Sequence, residues 1–161
     1  INCDRYQGID GNNYIYTDGG VITSESGATY GHTASGICWK LSPTSTSRGL
    51  TYPLDLKIAR VAVNANKLVT IKAWFKVTNT TDIYGRLVLR GGQIDGVSGE
   101  TKCEDGTYAV TSNANTNYEE LTITFTPSTA GVVEIEAWAY WTLNAADESV
   151  YIDDMTITQA T

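Results

Sequence analysis

Apolar and polar residues alternate with a period of two along much of the chain. The alternation is clearest over Leu68–Val77 and Ile83–Arg90. Side chains of a β-strand point alternately to its two faces, so this pattern predicts strands with one buried face and one exposed face. The predicted strands are Tyr14–Thr17, Val21–Glu25, Ile37–Leu41, Leu54–Val63, Leu68–Val77, Ile83–Arg90, Glu120–Thr126, Val132–Trp141 and Val150–Thr158, with a further short candidate at Thr107–Thr111.

The number and spacing of these segments predict the fold class. Turn residues separate the strands, and no segment shows the period of a helix. The chain is 161 residues long and contains 23 Thr, 13 Ile and 11 Val, which are β-branched residues that pack well on a pleated sheet. Eight or nine strands without helices indicate an all-β jelly-roll β-sandwich of two antiparallel sheets. We expect residues 1–161 to form a single domain, with an irregular segment at 1–20 and a long polar loop at 91–118.

The same alternation predicts the core and one irregularity. Within Leu54–Val63 the apolar positions change parity between Ile58 and Val61, which predicts a β-bulge or a bend. The residues expected to be almost fully buried are Ile71, Phe75, Leu87, Ile123 and Ile135.

The two strands with the clearest pattern are predicted to pair as a hairpin, with Asn79–Asp82 as the turn. Pairing Val77 with Ile83 places the apolar residues of both strands on the same face. In this register Trp74 lies opposite Arg86 on the outer face.

Aromatic residues on the outer faces are candidates for ligand binding. If Val132–Trp141 joins the same sheet as the hairpin, the aromatic residues of all three strands form one exposed strip. Sugars stack their C–H faces on aromatic rings, while carboxylate and guanidinium groups bind their hydroxyls. The candidate glycan-binding residues are Trp74, Tyr84, Arg86, Glu136, Trp138 and Tyr140. The alternative is that loops or a partner protein cover these rings and that Arg86 caps Trp74 through a cation–π contact.

The carboxylate pairs do not have the arrangement of a glycosidase. Such an enzyme needs two carboxyl groups facing each other across a cleft, one of them with a raised pKa. Glu119 and Glu120 point to opposite faces of a strand. Glu134 and Glu136 share a face but lie about 7 Å apart along one exposed strand, where both should stay ionised. The sequence therefore predicts a protein that is not an enzyme.

Charge and hydropathy restrict the partners. The formal net charge is −7 and the sequence pI is about 4.5, which argues against a nucleic-acid partner. No apolar run approaches the roughly 20 residues that a membrane span needs. The three cysteines, Cys3, Cys38 and Cys103, have no metal-ligand spacing and leave at least one thiol unpaired. Their number fits either one disulfide outside a cell or three buried thiols.

Four segments together resemble the carbohydrate-binding-module jelly rolls with a galactose-binding-like fold. They are Tyr30–Leu41, Val61–Val77, Tyr118–Pro127 and Val150–Thr158, and their order and spacing span most of residues 20–158. The resemblance implies a jelly roll that binds carbohydrate. The same jelly roll also occurs on phage virions, as decoration or appendage domains.

In that family a Glu of the opening strand and an Asp of the closing segment help to bind a structural calcium ion. Asp153 matches the Asp, but Ile1–Tyr16 lacks the Phe-Glu pair that supplies the Glu. The resemblance therefore implies a calcium site at Asp153 with one of its ligands missing. Independently, the change of alternation at Asp153 and Asp154 predicts that one carboxylate points inward or into a bulge. We expect Asp153 to meet backbone N–H groups or a cation near the Gly31–Gly36 turn.

These observations predict a non-catalytic, surface-displayed binding module for a polysaccharide or cell-surface glycan. The alternative is a structural virion protein that decorates or cements a capsid, or forms part of an appendage, with no ligand. The corresponding locations are extracellular or the virion surface. Under the glycan interpretation, Trp74 and Trp138 share one outer surface, and the Trp138 ring is exposed and contributes little to folding.

Overall fold

A computed structural model describes residues 15–16, 20–27, 29–33, 36–43, 54–90, 117–141 and 147–161. The strands are β1 (Ile15–Tyr16), β2 (Gly20–Ser26), β3 (Ile37–Pro43), β4 (Leu54–Val63), β5 (Val69–Val77), β6 (Ile83–Arg90), β7 (Glu119–Phe125), β8 (Gly131–Trp141) and β9 (Val150–Gln159). Each lies where alternation predicts a strand. The candidate at Thr107–Thr111 lies outside the described residues.

The strands form two antiparallel sheets packed face to face. One sheet has the order β1-β4-β8-β6, in which β1 is only two residues long, and the other has the order β2-β3-β9-β5-β7. The eight remaining strands are each seven to eleven residues long. The all-β jelly-roll prediction is confirmed. Within the described ranges, no helix is long and apolar enough to cross a membrane.

The core lies between the two sheets and consists of the inward-facing residues of both. The five side chains expected there (Ile71, Phe75, Leu87, Ile123 and Ile135) are all buried. Cys38 is also buried and is a free thiol, whereas Cys3 and Cys103 lie outside the described residues. Burial of this apolar area is the main favourable contribution to folding.

The predicted hairpin between β5 and β6 is wrong, because the two strands belong to different sheets. β5 pairs with β7 and β9, while β6 pairs with β8. A hairpin would place both apolar sets on one face of one sheet, and each set would still need cover. Instead the chain crosses from one sheet to the other between Val77 and Ile83, so that the two apolar faces cover each other.

Because β5 and β6 belong to facing sheets, they pack closely against each other across the core. A Cβ atom on Gly85 would lie only 2.6 Å from Phe75 Cδ1 and 2.8 Å from Val150 Cγ1. Trp74 is consequently not opposite Arg86. It pairs with Asp153 of β9 and Glu120 of β7, whereas Arg86 pairs with Trp138 of β8.

Two strands contain a bulge. The register of β4 against β8 shifts between Lys57 and Ala59, which confirms the irregularity predicted from the change of parity. The register of β9 against β5 shifts between Lys72 and Trp74. At this second bulge Asp154 adopts a positive φ of 46°, the left-handed conformation typical of the first residue of one bulge class.

Candidate functional site

Five of the six candidate glycan-binding residues lie together on the outer side of the four-stranded sheet. β6 and β8 run side by side there, with Tyr84 directly opposite Tyr140 and Arg86 directly opposite Trp138. Glu136 follows on β8, two residues before Trp138, on the same face. We call this surface, made by Tyr84, Arg86, Glu136, Trp138 and Tyr140, the aromatic face.

The two tyrosines form the accessible part of the aromatic face. Their rings are stacked in parallel, with centroids 5.2 Å apart and an interplanar angle of 5°. Arg86 lies beside them, with its guanidinium carbon 5.3 Å from the Tyr140 ring centroid and Nη1 3.5 Å from the Tyr140 hydroxyl oxygen. All three side chains are half-buried. Together they offer aromatic surface beside hydroxyl and guanidinium groups, which is the chemistry needed to bind a sugar.

Trp138 and Glu136 form the buried part of the aromatic face. Trp138 is 4% exposed and Glu136 is 0% exposed. The indole Nε1 donates a hydrogen bond of 2.7 Å to Glu136 Oε2, and the Trp138 ring contacts the Tyr140 ring at a centroid distance of 5.9 Å. The expectation of an exposed Trp138 that contributes little to folding is therefore wrong. Alternation identifies the face of a strand but not what else covers that face.

Glu134 is a further carboxylate on this side of the sheet, and it is engaged by cations. Lys57 Nζ lies 3.0 Å from Glu134 Oε1, and Arg60 Nε lies 3.9 Å from Oε2. Burial raises the pKa of Glu134, but the hydrogen bond from Lys57 and the neighbouring positive charges outweigh it and hold the pKa below its ordinary value. A glycosidase acid needs a raised pKa, so Glu134 does not have the property that this role requires.

Trp74 lies on the opposite side of the molecule, and the prediction that it shares a surface with Trp138 is wrong. It belongs to the outer face of the five-stranded sheet, because β5 is in that sheet. The His32 imidazole stacks on its indole with centroids 4.1 Å apart and an interplanar angle of 15°. The Tyr118 ring meets the same imidazole edge-on at 5.3 Å. The chain's single histidine is thus part of an aromatic cluster.

Asp153 is 2% exposed and lies below the loop that joins β2 to β3. Its Oδ2 accepts a hydrogen bond of 2.7 Å from the backbone N–H of His32, and its Oδ1 accepts one of 2.7 Å from the backbone N–H of Asp154. The predicted contact with backbone N–H groups of the 31–36 turn is confirmed. Burial raises the pKa of Asp153, although these two N–H groups partly offset the effect.

Among the described residues, Asp153 is not part of a cluster of acidic ligands. Calcium takes six to eight oxygen ligands, whereas the described part of the chain contains no group of three His, Cys, Asp or Glu residues that could hold a metal. Both Asp153 oxygens instead accept backbone N–H groups. The calcium site implied by the resemblance stays a prediction that these residues do not support.

No protein-family model matches this chain, and no curated protein matches it in sequence. Among solved structures, the CBM22-1–GH10 modules of the Clostridium thermocellum endo-1,4-β-D-xylanase 10B complexed with xylohexaose match 91% of the chain at 16% identity and a TM-score of 0.50. An arabinose-bound MgGH51 α-L-arabinofuranosidase also matches 91% of the chain, at 5% identity and a TM-score of 0.52. The match spans 26% of the first protein and 23% of the second.

A third similarity is to a separate module. The CBM22-1 xylan-binding domain of Paenibacillus barcinonensis Xyn10C matches over 90% of this chain and 88% of its own length, with 13% identity and a TM-score of 0.43. At such low identities the two matches with TM-scores of 0.50 and 0.52 establish a shared fold alone. They give no support to the alternative of a virion protein.

Proposed function

We propose that this chain is a non-catalytic carbohydrate-binding module that binds a polysaccharide through the aromatic face. The observation that carries the proposal is the half-buried pair Tyr84 and Tyr140, stacked side by side with the Arg86 guanidinium next to them. The two solved structures with the higher TM-scores are described with bound xylohexaose and bound arabinose. Both ligands are built from pentoses, so a polysaccharide of pentose units is the ligand class to test first.

The buried residues of the aromatic face have a supporting role in this proposal. Trp138 packs against the Tyr140 ring, and the Glu136 carboxylate fixes the Trp138 indole through the 2.7 Å hydrogen bond. Because these side chains are held in place before the ligand arrives, the tyrosines lose little conformational freedom on binding. Arg86 and the tyrosine hydroxyls then bind sugar hydroxyls.

The proposal excludes glycoside hydrolysis by this face. Glu134 and Glu136 lie on one strand and are both engaged: Glu134 by Lys57, and Glu136 by the Trp138 N–H. Two carboxylates on the same face of one strand do not face each other across a cleft, as hydrolysis requires. Since its ligand is a polysaccharide, we place the module outside the cell.

Affinity electrophoresis in gels containing soluble xylan, arabinan or hydroxyethylcellulose tests the proposal. We expect at least one polysaccharide to retard the protein, and Tyr84→Ala or Tyr140→Ala to weaken binding by about tenfold or more, a loss of roughly 1.4 kcal/mol. Tyr30→Ala is the matched control, since Tyr30 is 37% exposed and belongs to the other sheet's outer side. Unchanged migration in every gel would refute the proposal, and so would equal retardation of the Tyr84→Ala, Tyr140→Ala and parent proteins.

A further inference from the structure

The outer face of the five-stranded sheet carries a tryptophan that the chain itself covers. Trp74 lies on β5, next to the edge strand of this sheet, between Asp153 of β9 and Glu120 of β7. The imidazole of His32 lies parallel to its indole at a centroid distance of 4.1 Å. This is the van der Waals distance at which any flat group stacks on an aromatic ring.

The backbone around His32 is held over the sheet without help from the imidazole. The His32 N–H donates to Asp153 Oδ2, and Lys76 Nζ donates to the Thr29 carbonyl at 3.1 Å. The Tyr118 hydroxyl donates to the Tyr30 carbonyl. Gly31 permits this close approach, since a Cβ atom there would lie 2.9 Å from the Thr33 carbonyl oxygen and 3.4 Å from Asp153 Oδ2.

The imidazole itself has a separate set of contacts. Its Nδ1 lies within hydrogen-bond distance, 2.7 Å, of Asp154 Oδ2, and the two side chains are 28% and 34% exposed. Asp154 reaches this position because the β9 bulge gives it a positive φ, a conformation that costs energy for a residue other than glycine. The imidazole can therefore be removed or released while the backbone stays anchored at Asp153.

We infer that Trp74 is a second carbohydrate-stacking site and that the His32 imidazole is its built-in occupant. The imidazole takes the place of one sugar ring on the indole. The carboxylate of Glu120, which lies opposite Trp74 on β7 and is contacted by Lys72 Nζ at 2.7 Å, is an acceptor for hydroxyl groups of a neutral sugar. Binding at Trp74 requires His32 to leave the indole, so the stacked imidazole weakens this site. The inference takes its ligand class from the proposed function but concerns a different surface, on the other sheet.

Affinity electrophoresis with soluble xylan and hydroxyethylcellulose tests the inference in a parent protein carrying Tyr84→Ala and Tyr140→Ala. These two substitutions remove the tyrosine rings of the aromatic face, so any binding that remains comes from another surface. Failure of the proposal for Trp74 can therefore be distinguished from failure of the proposal for the aromatic face. Adding His32→Ala should tighten binding about 3- to 10-fold, the factor that corresponds to loss of one aromatic stacking contact. Adding Trp74→Leu to the His32→Ala protein should abolish this increase in affinity for the polysaccharide.

A second variant keeps the test decisive if His32→Ala lowers the melting temperature. Asp154→Ser removes the acceptor of Nδ1 while leaving the imidazole and its backbone anchor in place. It should give a smaller gain in binding that also disappears with Trp74→Leu. No gain with either variant on either polysaccharide would overturn the inference, and so would a gain that survives the loss of Trp74.

Discussion

Replacing Gly85 by alanine tests whether β6 packs closely against β5 across the core. The added Cβ atom would lie 2.6 Å from Phe75 Cδ1 and 2.8 Å from Val150 Cγ1. Phe75 and Val150 are both fully buried, so neither can move aside into solvent. Forcing a methyl group into such a core costs about 1–3 kcal/mol. Alanine also lowers the conformational entropy of the unfolded chain, which offsets part of this cost. We therefore expect the free energy of unfolding to fall by about 1–2 kcal/mol.

Urea unfolding of four proteins measures this loss and its cause. The parent, Gly85→Ala, Phe75→Leu and the double variant form a cycle, in which the midpoint changes while the slope stays constant. Because leucine removes much of the ring that the new Cβ meets, Gly85→Ala should cost less by about 0.5 kcal/mol or more in the Phe75→Leu background. A neutral or stabilising Gly85→Ala, or an equal cost in both backgrounds, would refute the packing of β6 against β5.

Three further predictions concern buried side chains. Phe75→Ala should lower the free energy of unfolding by about 3–5 kcal/mol, since it leaves a cavity between the sheets; a loss below 1 kcal/mol in urea unfolding would contradict its burial. Trp138→Phe removes the donor to the buried Glu136 carboxylate and should cost about 1–3 kcal/mol, and adding Glu136→Leu should recover part of that cost. Asp153 has a raised pKa, so its contribution to stability is complete below the unfolded-state pKa and is lost as pH rises through the folded-state pKa. Urea unfolding at several pH values measures the difference in free energy of unfolding between the parent and Asp153→Asn. This difference should move in favour of the parent as the pH falls from 7 to 4, and a constant difference would contradict the raised pKa of Asp153.

Strand positions and core residues could be predicted because they depend on local alternation. Phe75 and Ile71 are buried as expected, and the change of parity between Ile58 and Val61 marks the β4 bulge. The β9 bulge could be recognised in the same way, as the point where Asp153 and Asp154 interrupt the alternation. Each of these features is encoded within one strand.

Pairing between strands could not be predicted in the same way. The alternation in β5 and β6 is compatible both with a hairpin in one sheet and with two strands in facing sheets, because alternation does not determine which sheet a strand joins. That one error placed Trp74 and Trp138 on a single surface, whereas they lie on the outer faces of different sheets. Burial of Glu136 and the stacking of His32 on Trp74 also depend on contacts between distant segments.

Chemical-shift mapping by NMR tests the location of the binding surface most directly. The protein would be titrated with xylohexaose, or with an oligosaccharide of whichever polysaccharide retards it in the gels. We predict that the largest amide shifts fall on β6 around Tyr84 and Arg86 and on β8 around Trp138 and Tyr140, and that Tyr140→Ala removes them. Shifts confined to the five-stranded sheet, or to the loops at the ends of the sandwich, would contradict the assignment of the aromatic face as the glycan-binding surface.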